Sequence, residues 1–156
     1  MVTLNRQGIW FYGLSGSGKT YASKLTSRKI QNSFIIDGDV VRELISPDLG
    51  YSMHDRGIQI KRILGISLMT LKNGYFPVAS SVTMSTEIFN FCKINFIDVV
   101  EIQRAKDQLH RSRDLYKNSK NVVGKDIGLV ELETFKIFND GTRKFDQKVL
   151  SYVAKA

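Results

Sequence analysis

Cysteine is almost missing from this sequence. Cys92 is the single one, so no disulfide can close within the chain and a four-cysteine metal site is excluded. A reducing, cytoplasmic setting is expected. In the context Phe89-Asn90-Phe91 the thiol reads as a small buried apolar side chain. Proline is scarce at two residues, and no Ser/Gly-rich linker, repeat or low-complexity stretch divides the chain, which predicts a single domain over residues 1–156. Long apolar runs are lacking too, and the opening MVTLNRQ has no signal-peptide core, so neither membrane insertion nor secretion is expected. His54 and His110 have no second ligand at metal-binding spacing. What is present is 42% apolar and 24% charged residues in 156 positions, enough for one core and against disorder.

Twenty-three Lys and Arg against fifteen Asp and Glu give a net charge of +8 and favour an anionic partner. Nucleic acid is disfavoured, because the densest cationic stretch, residues 106–125, carries only Tyr116 as an aromatic platform. The hydrophobic pattern alternates strand and helix. Residues 8–12 form an apolar run ending at a glycine-rich turn, and residues 20–30 follow with helical spacing at Ala22, Leu25 and Ile30. A second buried strand at 34–36 is stopped by Asp37-Gly38-Asp39; a helix over 55–73 ends at Gly74. Strands at 76–82 and 96–100 flank a short helix at 85–93, and a polar helix covers 105–117. Residues 118–130 lack a firm period and read as a lid-like segment, followed by a last strand at 135–138 and a closing helix at 145–153. Such alternation predicts an α/β fold with a parallel central sheet covered on both faces.

GLSGSGKT (13–20) matches G-x-x-x-x-G-K-[ST] and lies between an expected strand and an expected helix, the context this loop requires. Glycines let successive N–H groups curl around a polyphosphate, and the helix that follows adds its positive N-terminal end. The predicted architecture is therefore a P-loop NTPase-like three-layer fold with a short lid. Expected donor contacts are Gly13, Ser15, Gly16, Ser17, Gly18, Lys19, Thr20 and Tyr21, with Lys19 neutralising the β and γ phosphates of ATP and Thr20 completing a Mg²⁺ shell. The plainer reading is a glycine-rich turn beside a surface lysine. A GTPase would carry Asn-Lys-x-Asp, which is absent, and a mechanical ATPase belongs to a larger assembly, which leaves a small kinase.

Asp37 and Asp39 follow the second strand and should project at its carboxyl end, where open α/β sheets bind ligands. One carboxylate can hold the metal, with Asp37 and Thr20 the metal candidates, while the other takes a proton from the acceptor hydroxyl. Which of Asp37 and Asp39 is the base stays open, as does a helix N-cap role for Asp39. Arg42, one helical turn beyond Asp39, can fork onto an acceptor phosphate.

The sequence resembles the adenylylsulfate kinase family, small P-loop kinases that phosphorylate the 3′-hydroxyl of adenosine 5′-phosphosulfate. The matching residues are Gly8 and Trp10 before GLSGSGKT, IDGDVVR (36–42), DLGYS (48–52) with Asp55-Arg56, and Pro77-Val78-Ala79-Ser80. Weaker likeness runs through FIDVVE (96–101) and Asp114-Leu115-Tyr116-Lys117. The resemblance implies that Arg42 and Arg56 grip the acceptor's anionic group, and that Tyr51 replaces a phenylalanine stacked on its base. It also implies that Gln59, Ser80, Ser81, Val82 and Thr83 line the acceptor pocket and that Arg113 and Lys117 reach ligand from the lid. Plainer roles exist: Arg56 as a helix-start ion pair, Tyr51 as a half-buried core residue, and the run from Arg104 to Lys125 as a solvated face. Pairing as a homodimer is open to the chain on the same resemblance.

Departures from the family pattern concentrate on the acceptor side. Ser81-Val82-Thr83-Met84-Ser85-Thr86 stands where the family has Phe-Ile-Ser-Pro-Tyr-Arg, Gln59 replaces an asparagine, and residues 121–128 offer no lid phenylalanine. These losses favour cytidine diphosphoramidate, the acceptor of a capsule-pathway relative, over adenylylsulfate. The expected activity is γ-phosphoryl transfer from Mg·ATP to a ribose 3′-hydroxyl of such a small-molecule nucleotide, with Lys19, Asp37 and Asp39 as catalytic residues and no nucleic acid or membrane involved. The alternatives are adenylylsulfate as acceptor, in sulfate assimilation, and a non-catalytic nucleotide-binding regulator.

Overall fold

The computed structural model describes residues 5–112, 116, 119–120 and 122–155. At its centre lies β1 (Gly8–Tyr12), with all five residues buried. A strand covered on both faces is apolar throughout, as GIWFY is. β1 pairs in parallel with β3 (Phe76–Ser81) and β4 (Ile97–Gln103), setting Trp10 opposite Ala79 on one side and Val99 on the other. β2 (Ser33–Asp37) and β5 (Phe135–Phe138) form the edges of a five-stranded parallel sheet in the order β2-β3-β1-β4-β5.

The strand period of two splits the core in half. Trp10 and Tyr12 pack with Val41, Ile63, Met84, Ile88 and Cys92, beneath α2 (Gly38–Leu44), α3 (Met53–Lys72) and α4 (Thr86–Ile94). Ile9 and Phe11 face the other way, onto Ala22, Phe145, Val149 and Val153 of α1 (Lys19–Ser27) and α6 (Arg143–Ala154). The result is the three-layer α/β arrangement expected from the alternation. The connections from β1 and β3 leave through helices on opposite faces, so the crevice between these neighbours is the switch point where such sheets take ligands.

Three expectations are corrected. β2 is an edge strand and not a buried one: Phe34 is 53% exposed. Asp37-Gly38-Asp39 does not simply end a strand, because α2 starts at once, with Asp37 as its N-cap accepting the Asp39 N–H. β4 runs on to Gln103, since Glu101 is buried beside the Tyr12 hydroxyl at 3.4 Å and the Gln103 amide at 3.1 Å. That extension is what β5 pairs with, Val100 through Gln103 opposite Phe135 through Phe138. Of the polar helix expected over 105–117, α5 (Lys106–Ser112) is described. Within the lid-like segment, Val122 caps a turn by accepting the N–H groups of Lys125, Asp126 and Ile127, and its side chain packs with Leu14, Leu109 and Tyr116.

Candidate active site

The phosphate loop owes its shape to crowding. Gly13 has φ +152 and a Cβ there would stand 2.3 Å from the Ile102 carbonyl, so no other residue fits the first turn. Gly18, at φ +106, ends the loop and opens α1 without a side-chain cap, which leaves the N–H groups of that first turn to serve whatever lies in front of them.

In front of them is a cavity of about 390 Å³ at the carboxyl ends of β1, β2 and β3. Its donor half is lined by Ser15, Gly16, Gly18, Lys19, Thr20 and Tyr21, while Gly13 and the fully buried Ser17 lie outside the lining. Lys19 Nζ donates to the Leu14 carbonyl at 2.9 Å. The Tyr21 hydroxyl donates to Asp146 at 2.9 Å and its ring stacks on Phe145, tying the loop to α6. The Thr20 hydroxyl donates to Asp37 Oδ2 at 2.9 Å, so two oxygen ligands stand together beside the loop. That donor set fits Mg²⁺, a hard cation that takes oxygen ligands and keeps several waters.

The acceptor half holds Asp39, Arg42, Tyr51, Arg56 and Gln59, with Ser80 to Thr83 along one wall. Asp37 uses one carboxylate oxygen on Thr20 and the other on the Asp39 N–H. Asp39, in the first turn of α2, has a carboxylate that accepts no hydrogen bond from the described residues. The loop before α3 is pinned from several sides: Arg62 forks onto Asp48 at 2.6 and 2.8 Å, and Asp55 accepts the Gly50 N–H and the Ser52 hydroxyl. The Arg62 bond holds the Asp48 carboxyl below its usual range. Pinned in this way, Tyr51 is 56% exposed and has two cations near its ring, the Arg42 guanidinium 4.6 Å and that of Arg56 5.5 Å from the ring centre. Burial, and then the neighbouring Arg42, push the Arg56 pKa down, the mark of positive charge gathered where it is partly desolvated. Two such forks beside an aromatic ring suit a phosphate or sulfate attached to a planar base.

Two assigned side chains are turned to internal work. Ser81 Oγ accepts from the Trp10 indole at 2.8 Å and donates to the Thr83 carbonyl at 2.6 Å, so it shapes the wall rather than offering its proton to the cavity. Gln59 donates to the Gly38 carbonyl at 2.9 Å, which fixes its amide with the oxygen buried and without a partner among the described residues. Arg113 and Lys117 lie outside the described residues. Sequence reasoning missed Lys24, Gly38, Ile60 and Ile63 in the lining. Helical spacing carries the signal for three of them: Lys24 is four after Thr20, and Ile60 and Ile63 are four and seven after Arg56.

Comparison with known proteins bears on this geometry. A sequence model of the family described as Adenylylsulphate kinase matches residues 6–128. An adenylyl-sulfate kinase of Picosynechococcus sp. is 35% identical over 98 residues, which is 60% of this chain and 55% of the relative, so the chain matches about half the length of that protein. One from Synechococcus sp. is 30% identical over 119 residues, 67% of each chain. Among solved structures, the Mycobacterium tuberculosis APS kinase in complex with AMPPNP and APS superposes with a TM-score of 0.84 at 20% identity, over 96% of both chains, a likeness of fold.

Proposed function

We propose, since this chain belongs to the adenylylsulphate kinase family, that it is a phosphotransferase moving the γ-phosphoryl group of ATP to the ribose 3′-hydroxyl of a small nucleotide. The observation that carries this reading is one cavity holding Lys19, the Thr20–Asp37 oxygen pair, Asp39 and the Arg42–Arg56 forks together. Lys19 and the loop amides neutralise the donor phosphates. Thr20 and Asp37 would hold Mg²⁺, which supplies charge neutralisation across the β and γ oxygens when bound. Asp39 accepts the proton of the attacking hydroxyl, the task left to it when Asp37, already bonded to Thr20 and to the Asp39 N–H, serves the metal. Arg42 and Arg56 hold the acceptor's anionic tail, and Tyr51 stacks on its base. Positioning and electrostatics carry most of such a reaction. The segment near 118–130 closes over both substrates within a single 1–156 domain, and Arg113 and Lys117 serve it.

Two acceptors remain in play, each with its own support. The curated relatives speak for adenylylsulfate, the substrate their names carry, and nothing among them speaks for cytidine diphosphoramidate. The acceptor wall speaks for the latter: with Ser81 turned onto Trp10, Tyr51 is the single aromatic ring lining the acceptor half among the described residues. One-sided stacking suits a pyrimidine. That choice would place the enzyme in decoration of a capsular polysaccharide rather than in sulfate assimilation; either role is cytoplasmic, where ATP is at hand.

A coupled ADP-release assay with each acceptor, the product's 3′-phosphate confirmed by phosphorus NMR, tests the reading. ADP formation is expected to require a nucleotide acceptor and to fall roughly a hundredfold or more in Lys19→Ala and in Asp39→Asn. Binding of ATP without ADP release, whichever acceptor is offered, would establish the non-catalytic regulator instead.

A further inference from the structure

Three side chains remote in sequence donate to three consecutive carbonyls of the phosphate loop. The Tyr116 hydroxyl reaches the Ser15 carbonyl at 2.7 Å, Arg104 Nη1 the Gly16 carbonyl at 3.1 Å, and Asn139 Nδ2 the Ser17 carbonyl at 2.8 Å. They come from the segment after α5, from just beyond the end of β4 and from the turn after β5, respectively. A planar trans peptide sets each C=O opposite the N–H of the next residue, and no described peptide is cis. Holding the Ser15 and Ser17 carbonyls on one side therefore turns the Gly16 and Gly18 N–H groups the other way, toward the cavity that both glycines line. Those amides are what such a loop offers an anion. Because φ is +85 at Gly16 and +106 at Gly18, the backbone there has alternatives that a non-glycine chain lacks, and something must remove them.

Asn139 is the best placed of the three to do so. It is 7% exposed, its Oδ1 accepts the Gly141 N–H at 2.9 Å, and its own N–H donates to the Gln103 carbonyl at 2.7 Å. These bonds fix which end of the amide faces the loop. A Cβ at Gly18 would stand 2.6 Å from Asn139 Nδ2, so loop and clamp are in direct contact.

We infer that Asn139 is a positioning residue for the donor phosphates, acting through the Ser17-Gly18 peptide, and that Tyr116 performs the same task at Ser15-Gly16. The inference rests on reading the cavity as the ATP site of a kinase. It gives the turn after β5 and the segment after α5 a part in donor binding without contact with the acceptor.

Two near-isosteric variants test it. Asn139→Asp keeps the acceptor for Gly141 but sets an oxygen against the Ser17 carbonyl, and Tyr116→Phe removes one hydroxyl. The KM for ATP and the calorimetric Kd for Mg·ATP are expected to rise roughly tenfold in the first and roughly threefold in the second, with the acceptor KM held within about twofold. Unchanged ATP affinity in the folded Tyr116→Phe protein, or equal rises in both KM values, overturns the inference. Lys19→Ala serves as the reference. If it weakens ATP binding while Asn139→Asp and Tyr116→Phe do not, the clamp alone is wrong. If wild-type protein does not bind ATP, the kinase reading falls and the inference with it.

Discussion

Arg56 illustrates how a single residue joins site and scaffold. Its Nε donates to the Tyr51 carbonyl at 3.1 Å, its guanidinium lies over the ring of the same residue, and burial together with Arg42 lowers its pKa. A fork that is already oriented loses little freedom on meeting an anion, and a lysine cannot reproduce it. Arg56→Lys is therefore expected to raise the acceptor KM by roughly tenfold, with the ATP KM unchanged, in steady-state assays that vary each substrate in turn. Equal change in both constants would assign Arg56 to the scaffold. At this scale the sequence was readable where chemistry follows from residue type: Gly16, Gly18, Lys19, the two aspartates and the two arginines all meet at one cavity. It was unreadable where orientation decides. Nothing in the pattern shows that Ser81 turns to Trp10 or that Asn139 reaches Ser17, because those bonds cross 71 and 122 residues of chain.

Among the elements, α3 bears most on the acceptor half, since it carries Arg56, Gln59, Ile60 and Ile63 on one face. Its start is built from a reciprocal pair: Ser52 Oγ accepts the Asp55 N–H at 3.1 Å and donates to the Asp55 carboxylate at 2.9 Å. Asp55 in the first turn also complements the helix dipole. Ser52→Ala is expected to cost about 1 kcal/mol of stability in urea unfolding, and to raise the acceptor KM through fraying of the turn that bears Arg56. Donor binding should not change, because α1 opens from Gly18 on the other side of the cavity. Element existence was legible wherever the apolar period was long, as in β1 and α3. The misread stretches share a cause. β2 looks buried because Phe34-Ile35-Ile36 is apolar, yet it has a partner on one side only. α2 was hidden because its cap, Asp37, is also the last residue of β2, and β4 was cut short because Glu101 and Gln103 satisfy each other inside the sheet.

For the whole molecule, Cys92 reports on cooperative opening. The thiol is fully buried between α4 and the sheet, packed with the same cluster as Trp10 and Ile63, and burial pushes its pKa up to about 12. Only unfolding or a large opening exposes it, so labelling by an aromatic disulfide reagent at pH 8 is expected to be slow in buffer and immediate in urea. If the proposed function holds, saturating Mg·ATP binds the folded chain alone and adds RT ln(1 + [L]/Kd). At a hundred times Kd this is about 2.7 kcal/mol and slows labelling roughly a hundredfold when opening is a pre-equilibrium. The pH dependence has a definite sign. A thiol with a raised folded pKa holds its proton more tightly in the native state, so its contribution is complete below its unfolded value and is lost as pH climbs to about 12. Tyr12, buried beside Glu101, and Tyr152, half-buried beside Asp98, are raised as well and act in the same direction. The urea midpoint should accordingly fall between about pH 9 and 12, less steeply in Cys92→Val than in the wild type. A midpoint that is flat over that window in the wild type, or a thiol labelled at the same rate with and without urea, would mean that the layer between α4 and the sheet opens independently of the rest.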